Sequence, residues 1–299
     1  MLFFAPIQGY TEAFYRRAHA AVIGGVDEYY TPFMRLEKNQ LRPKDLHELS
    51  SQNPANTIPQ LLVKSPEELK TSLAVIQTIG YTKVDLNIGC PFPKVTQHGY
   101  GAGLLPSPDA VNSVLSALSN YPQIEFSVKM RIGLNSADEL PPLIPLLNAA
   151  PLRHITLHPR LGRQQYSGDL DMASYRTLVE KSNHPVIFNG DIRTIAEATA
   201  YHDVMIGRGL LADPPLALEI KEGTPIAPSR RLELLTAFHQ KLVTELQDIE
   251  QPLPKLKTVW DYFLPNADPH LRKKLLKAHT MDEYLAIAPH VIESSIHTL

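Results

Sequence analysis

The sequence predicts an α/β chain, a (β/α)8 TIM barrel followed by a small all-helical C-terminal domain. Three observations carry that prediction. Eight short apolar, β-favouring runs recur within the first 210 residues, most too apolar to be strands with one wet face, which suits a parallel sheet covered on both sides. Segments of helical pattern alternate with them. No GxGxxG follows the first run, so the doubly wound open sheet, the structural competitor, lacks its usual signature.

In chain order the runs are Leu2–Ile7, Glu28–Phe33, Thr57–Val63, Lys83–Ile88, Glu125–Ile132, His154–His158, Pro185–Phe188 and Asp203–Ile206. The clearest intervening helix is Ser65–Gly80, with Ser65 as N-cap, Pro66 at the first helical position, Glu67 and Glu68 in the first turn and Gly80 as stop. Ser107–Asn120 repeats this with Pro108 and Asp109, and Thr194–Tyr201 is a shorter third. Thr224–Ser229 reads as a linker. Beyond it Leu232, Leu234, Leu235, Phe238, Leu242 and Leu246 follow helical spacing, and Pro252 and Pro254 interrupt it. Lys255–Leu264, Pro269–His279 and Asp282–Ile287 continue as helices. The expected division is residues 1–225 for the barrel and 230–299 for the helical domain.

Composition narrows the function. The 299 residues are 43% hydrophobic and 20% charged, enough apolar material for a large core. A net charge of −2 excludes a strongly basic nucleic-acid binder as a description of the whole chain, though not a local basic face. One cysteine excludes an internal disulfide framework and a Cys-based zinc site. His154 and His158 share a strand face but stand roughly 13 Å apart, too far for one ion, so no metal is expected. No run of about 18 uncharged apolar residues exists to span a membrane. The short apolar start lacks a basic leader, so a cytoplasmic protein is the default, and with no obvious exposed apolar seam a monomer is expected.

Barrel enzymes carry their chemistry at the carboxyl ends of the strands. Here those ends bring Pro6-Ile7-Gln8, Met34-Arg35, Gln60, Asn87 to Cys90, Lys129 with Arg131, His158-Pro-Arg160, Asn189-Gly190-Asp191 and Gly207-Arg208-Gly209 to one rim. Cys90, the sole thiol, opens a loop containing Gly99, Gly101 and Gly103, and reads as an accessible nucleophile or proton donor. A thiol with a pKa of about 8.5 is mostly protonated at neutral pH. Gly190 and Gly207 to Gly209 follow the seventh and eighth strands, where barrels commonly hold a phosphate. Lys129, inside an apolar run, requires an anion, whether a phosphate, the edge of a reduced flavin or a neighbouring carboxylate. In the tail Lys255, Lys257, Arg272, Lys273, Lys274 and Lys277 outnumber Asp261 and Asp268, with Trp260, Tyr262 and Phe263 interleaved. That pattern suits a nucleic-acid surface, but by itself a solvated helix face over core aromatics is the more ordinary reading.

Together these residues resemble the tRNA-dihydrouridine synthases. The likeness spans most of the first 215 residues: Ala5-Pro6, Gln60, Asn87-Ile-Gly-Cys-Pro91 with the glycine loop ending Leu104-Leu105, Val128-Lys-Met-Arg131, His158 through Tyr166-Ser-Gly168, Asn189-Gly-Asp-Ile192 and Met205-Ile-Gly-Arg-Gly209. The resemblance implies an FMN-binding barrel, a helical tRNA-binding domain and NADPH as reductant. It implies Pro6, Ile7 and Gln8 against the flavin, Gln60 and Lys129 on its ring, and His158, Asn189, Gly190, Asp191, Gly207 and Arg208 around its phosphate. Asn87 and Arg160 would face the substrate base, and Cys90 would protonate C5 of a uridine whose C6 receives hydride. Arg35, Arg131 and Tyr166 complete the expected substrate side, and Lys255, Lys257, Arg272, Lys273 and Lys274 the tRNA face. The chain departs from the family at His158-Pro-Arg-Leu161, where members usually show His-Gly-Arg-Thr, and proline there removes a backbone donor. The tail matches loosely, and Lys255-Leu-Lys-Thr-Val-Trp260 resembles the subfamily acting on position 16 of the D-loop. The competing readings are a flavin barrel reducing a free pyrimidine, a non-catalytic RNA-binding barrel that needs neither Cys90 nor Lys129, and an aldolase-type barrel with Lys129 as Schiff base.

Overall fold

The computed structural model describes residues 1–49 and 52–296, so the last three residues of the expected helical domain, 297–299, lie outside the described residues. The strands are β1 (Leu2–Phe4), β2 (Glu28–Tyr30), β3 (Leu36–Glu37), β4 (Gln40–Leu41), β5 (Thr57–Ile58), β6 (Gln60–Leu61), β7 (Lys83–Ile88), β8 (Glu125–Gly133), β9 (Leu152–Leu161), β10 (Val186–Phe188) and β11 (Val204–Ile206). Nine of them form one parallel sheet in the order β5-β2-β1-β11-β10-β9-β8-β7-β6. β5 and β6 are the two halves of the third predicted run, divided at Pro59, which has no N–H for a ladder. Because a single residue separates them, the two ends of the sheet adjoin. Hydrogen bonds from Met34 N to Gln60 O (2.9 Å) and from Leu62 N to Met34 O (2.8 Å) draw the barrel nearly shut.

All eight predicted runs carry strands. The fourth matches in both limits, whereas the sixth is longer than expected. Pro159 and Arg160 therefore lie within β9 rather than after it. The sheet tolerates Pro159 because the β8–β9 register shifts there, from Arg131 opposite His158 to Gly133 opposite Leu161. The antiparallel pair β3–β4 was not expected. Its two turn residues, Lys38 and Asn39, both take positive φ (50° and 60°), the geometry of a tight hairpin without the usual glycine.

The first predicted helix forms as Pro66–Ile79. Ser65 Oγ accepts from Glu68 N–H at 3.3 Å, and Gly80 closes it at φ 99°. Ala13–Val22, not expected, is the first helix of the barrel. The tail holds helices Pro228–Glu245, Pro252–Val259, Pro269–Lys277 and Met281–Ile296. Pro252 opens a helix rather than interrupting one, since the first turn has no N–H to lose. The last helix runs through Pro289, beyond the expected Ile287. Phe238 packs edge-on against Tyr15 of the barrel (5.3 Å) and near Phe263 (5.8 Å). One apolar core continues from Leu2 and Phe4 through Phe238 to Trp260 and Tyr284. Among the described residues no helix is long and apolar enough to cross a membrane.

Period-2 alternation sorts the barrel interior. On β7, β8 and β9 the outward side chains Leu86, Ile88, Val128, Met130 and Leu157 pack under the helices. Their neighbours Asp85, Asn87, Ser127, Lys129, Arg131, Thr156 and His158 turn inward. Across the barrel, Phe3, Ala5, Tyr30, Ile58, Ile187 and Met205 form a separate apolar cluster inside. The interior is therefore half polar and half apolar.

Candidate active site

An open cleft of about 1120 Å³ lies over the carboxyl ends of the strands. Pro6, Ile7 and Gln8 leaving β1 form one wall. Asn87 and Cys90 at the end of β7, Lys129 and Arg131 on β8, and His158 on β9 line the polar side. Asn189, Gly190 and Asp191 after β10, Gly207 and Arg208 after β11, and Tyr166 beyond β9 complete it.

Cys90 is not an exposed rim thiol. It is 7% exposed and packs with Leu62 and Val95 while one side meets the cleft. The glycine loop folds back on it. Ala102 N donates to Cys90 O (3.0 Å), and a Cβ at Gly101, which sits at φ +57°, would come within 2.7 Å of that oxygen. Burial raises the thiol pKa, and the Phe92 backbone, Arg131 and Lys129 pull it back only in part. Cys90 thus keeps its proton at neutral pH.

Lys129 Nζ donates to Asn189 Oδ1 (2.7 Å), whose Nδ2 is anchored on Met205 O (2.6 Å). Burial, assisted by Arg131, lowers the lysine pKa to about 8. Among the described residues no carboxylate forms a salt bridge with Lys129; buried Asp85 offsets its positive charge only in part. His158 is pushed well below its ordinary pKa by burial and by four neighbouring cations, Arg131 foremost. Its Nε2 lies 3.3 Å from Arg160 Nη1, and a guanidinium only donates, so the neutral ring carries its proton on Nδ1. Arg131, lowered by burial to about 10, and Arg208 both lie over the Tyr166 ring, 5.4 Å and 5.0 Å from its centre.

A comparison with known families decides the class. The family model described as dihydrouridine synthase (Dus) matches residues 3–294. The chain belongs to the dihydrouridine synthase family. Curated members similar to it are the tRNA-dihydrouridine(16) synthases of Cupriavidus necator (29% identical, 75% of this chain and 75% of that one) and Pseudomonas syringae pv. tomato (28%, 83% and 85%). The Escherichia coli K12 protein of the same name is 29% identical over 75% of this chain and 76% of its own. Among solved structures, morphinone reductase aligns at a TM-score of 0.51 with 10% identity, covering 77% of this chain and 88% of that one, a likeness of fold.

Several side chains expected at this family's site are bonded to one another, and Gln60, Arg160 and Arg35 do not line the cleft. Gln60 is fully buried and does not line the cleft, because Nε2 donates to Asp85 Oδ2 (2.7 Å) and Oε1 accepts from Asn87 Nδ2 (2.8 Å). Asn87 lines the cleft and turns its own Oδ1 to the N–H groups of Cys90 (2.8 Å) and Gly89 (3.1 Å), so its amide holds the Cys90 turn. Arg160, 4% exposed, is consumed by Gly168 O, His158 and Asp191. Asp191 accepts from both Arg160 and Arg208 (2.6 Å to the latter), and a carboxylate so placed orients arginines and would repel a phosphate. Arg35 lies outside the cleft lining.

The tail cations also divide. Lys255 pairs with Glu12, and Lys257 donates to Ala278 O. Arg272 donates to the carbonyls of Trp260 (2.6 Å), Phe263 (2.5 Å) and Leu264 (2.8 Å), tying off a helix end. Lys273 and Lys274 are exposed. Trp260 and Phe263 are core residues, and Trp260 Nε1 donates to Tyr284 Oη (2.7 Å). Tyr262 instead reaches the cleft and meets Tyr10 edge-on (4.7 Å), while Tyr10 Oη donates to Asp261 (2.9 Å). Tyr10, Phe33, Phe92 and Arg193 are lining residues that sequence reasoning missed. The first three follow strand exits by only a few residues, and an aromatic so close to a strand end was the available signal.

Proposed function

We propose that the protein is a tRNA-dihydrouridine synthase that uses FMN and NADPH to reduce the C5–C6 double bond of uridine 16 in the D-loop. The observation that carries this reading is the sole thiol, held protonated at the cleft wall within the fields of Arg131 and Lys129. The names of the similar curated proteins support position 16.

The cleft fits a flavin mononucleotide. Gln8 Oε1 is buried without a partner and could accept from a ring N–H. Lys129 supplies a cation at the cleft floor, and Arg193 and Arg208 a cationic end suited to a phosphate. When bound, FMN supplies hydride, drawn from NADPH, to C6 of the uracil. The remaining work falls to this chain. Cys90 gives the Sγ proton to C5, and the thiolate recovers a proton from solvent. Lys129, fixed by Asn189, stabilises negative charge on the cleft floor. A stacked uridine reaches such a cleft only by leaving the RNA stack. The exposed Lys273 and Lys274, on a helical region that we assign to tRNA contact, would grip the backbone.

Replacing Cys90 by Ala tests the reading. Loss of a positioned acid costs about 10²- to 10⁴-fold in rate. The expected variant binds FMN and tRNA normally and forms dihydrouridine that much more slowly. Undiminished turnover would contradict the assignment.

A further inference from the structure

Asp85 is the one buried carboxylate among the inward side chains of β7, β8 and β9, and the mechanism above does not use it. Asp85 is fully buried, two residues before Asn87 on the same inward face of β7. Gln60 on β6 and Ser127 on β8 are its partners in register. Ser127 Oγ donates to Oδ1 at 2.6 Å, and Gln60 Nε2 donates to Oδ2 at 2.7 Å. Gln60 Oε1 then accepts from Asn87 Nδ2 at 2.8 Å, and Asn87 Oδ1 accepts from Cys90 N–H at 2.8 Å.

The order of these bonds is not arbitrary. An amide side chain can present either end to a neighbour, so two amides in series could point either way. An ionised carboxylate only accepts. Asp85 therefore obliges Gln60 to present its NH2, which leaves Gln60 Oε1 for Asn87. Asn87 must then present its own NH2 to Gln60, which leaves Oδ1 for the backbone of the catalytic turn. Burial raises the Asp85 pKa to about 6, so the acceptor-only form still prevails at neutral pH. Three hydrogen bonds connect a carboxylate in the barrel interior to the backbone N–H of the residue that carries the thiol.

We propose that Asp85 is a positioning residue that sets the sense of the Gln60–Asn87 amide relay and, through it, the placement of the Cys90 thiol. The catalytic consequence rests on the assignment of Cys90 as the acid. The placement of the thiol does not.

The test uses the FMN-loaded enzyme with a tRNA transcript and, separately, iodoacetamide, which in this chain meets a single thiol. Asp85→Ala removes the acceptor. Asp85→Asn removes the charge but can turn its oxygen to Gln60 and its NH2 to Ser127 Oγ, preserving the relay. For Asp85→Ala the expected result is a kcat lower by about 10²-fold, as for a misplacement on the order of 1 Å, with the tRNA KM within about threefold. Its Cys90 alkylation rate shifts several-fold, and Asp85→Asn restores both. Wild-type kcat and alkylation in Asp85→Ala would overturn the proposal. So would an Asp85→Asn enzyme as impaired as Asp85→Ala, since charge rather than the direction of the relay would then matter. If Asp85→Ala does not fold, Gln60→Met removes the middle link at similar volume and must shift the same two quantities. A fully active Cys90→Ala enzyme would remove the acid assignment alone, because alkylation rates report the thiol whatever its chemical role.

Discussion

The two halves of the barrel interior are built from the same alternating strands and do opposite things. Around β1, β2, β5, β10 and β11 the inward positions are Phe3, Tyr30, Ile58, Ile187 and Met205, closed against one another. Around β7, β8 and β9 they are Asp85, Asn87, Ser127, Lys129, Arg131 and His158, each held by a directed contact. The first half stabilises by area removed from water, about 25 cal/mol per Å². The second half gains little net stability, since desolvating charges offsets most of what their hydrogen bonds return. The cleft opens where the two meet, so a bound ring would have one apolar wall and one polar, cationic wall. Stability and chemistry are thus assigned to different strands of one sheet.

Truncation on the apolar side should break this division most visibly. Phe3, 1% exposed, stacks on His154 at 5.3 Å. Phe3→Ala should cost about 3–5 kcal/mol, read from urea unfolding. A loss below about 1 kcal/mol would mean that the apolar half is not the stabilising one. Arg208→Ala, at the cleft mouth, should leave stability nearly unchanged and weaken FMN binding to the apoprotein. Losing one charge-assisted contact worth about 1.5–3 kcal/mol corresponds to roughly 10- to 150-fold, read by flavin fluorescence titration. Unchanged affinity would place the phosphate elsewhere.

The smallest effect on stability should come from Lys129→Met, within about 1 kcal/mol of wild type at pH 7 or slightly stabilising. Its pH dependence sharpens the comparison. The folded-state pKa of Lys129 is lowered to about 8 from 10.5. Between those values the unfolded chain binds a proton that the folded chain has released, so the lysine's burial cost is largest below about pH 8 and is relieved as pH rises. Relative to Lys129→Met, the wild type should gain stability from pH 8 to pH 10. A flat difference would show an ammonium that is still hydrated.

The division between the halves was partly legible in the sequence. Asp85 and Asn87, then Ser127, Lys129 and Arg131, then Thr156, His158 and Arg160 stand at every second position, the period of one strand face. Reading these runs as uniformly apolar concealed it, although the eight strands themselves were found. Which polar side chains meet the cleft and which serve one another could not be read. Gln60 and Arg160 carry the residue types of a binding site but bond to Asp85, Gly168 and Asp191. Those pairings depend on strand register and on the bulge at Pro159, both settled by packing of the whole sheet. The tail shows the same limit. Spacing gave its helices, but the bonding of Arg272 to three carbonyls arises only once two helices meet.

One cuvette tests the central claim most directly. The visible spectrum of the purified protein would be followed anaerobically through addition of NADPH and then of a tRNA transcript that retains uridine 16. The account predicts a yellow protein that bleaches with NADPH and regains its colour with that transcript, but not with one in which uridine 16 is replaced by cytidine. A protein that binds no added FMN, or one whose colour returns equally with either transcript, would contradict it.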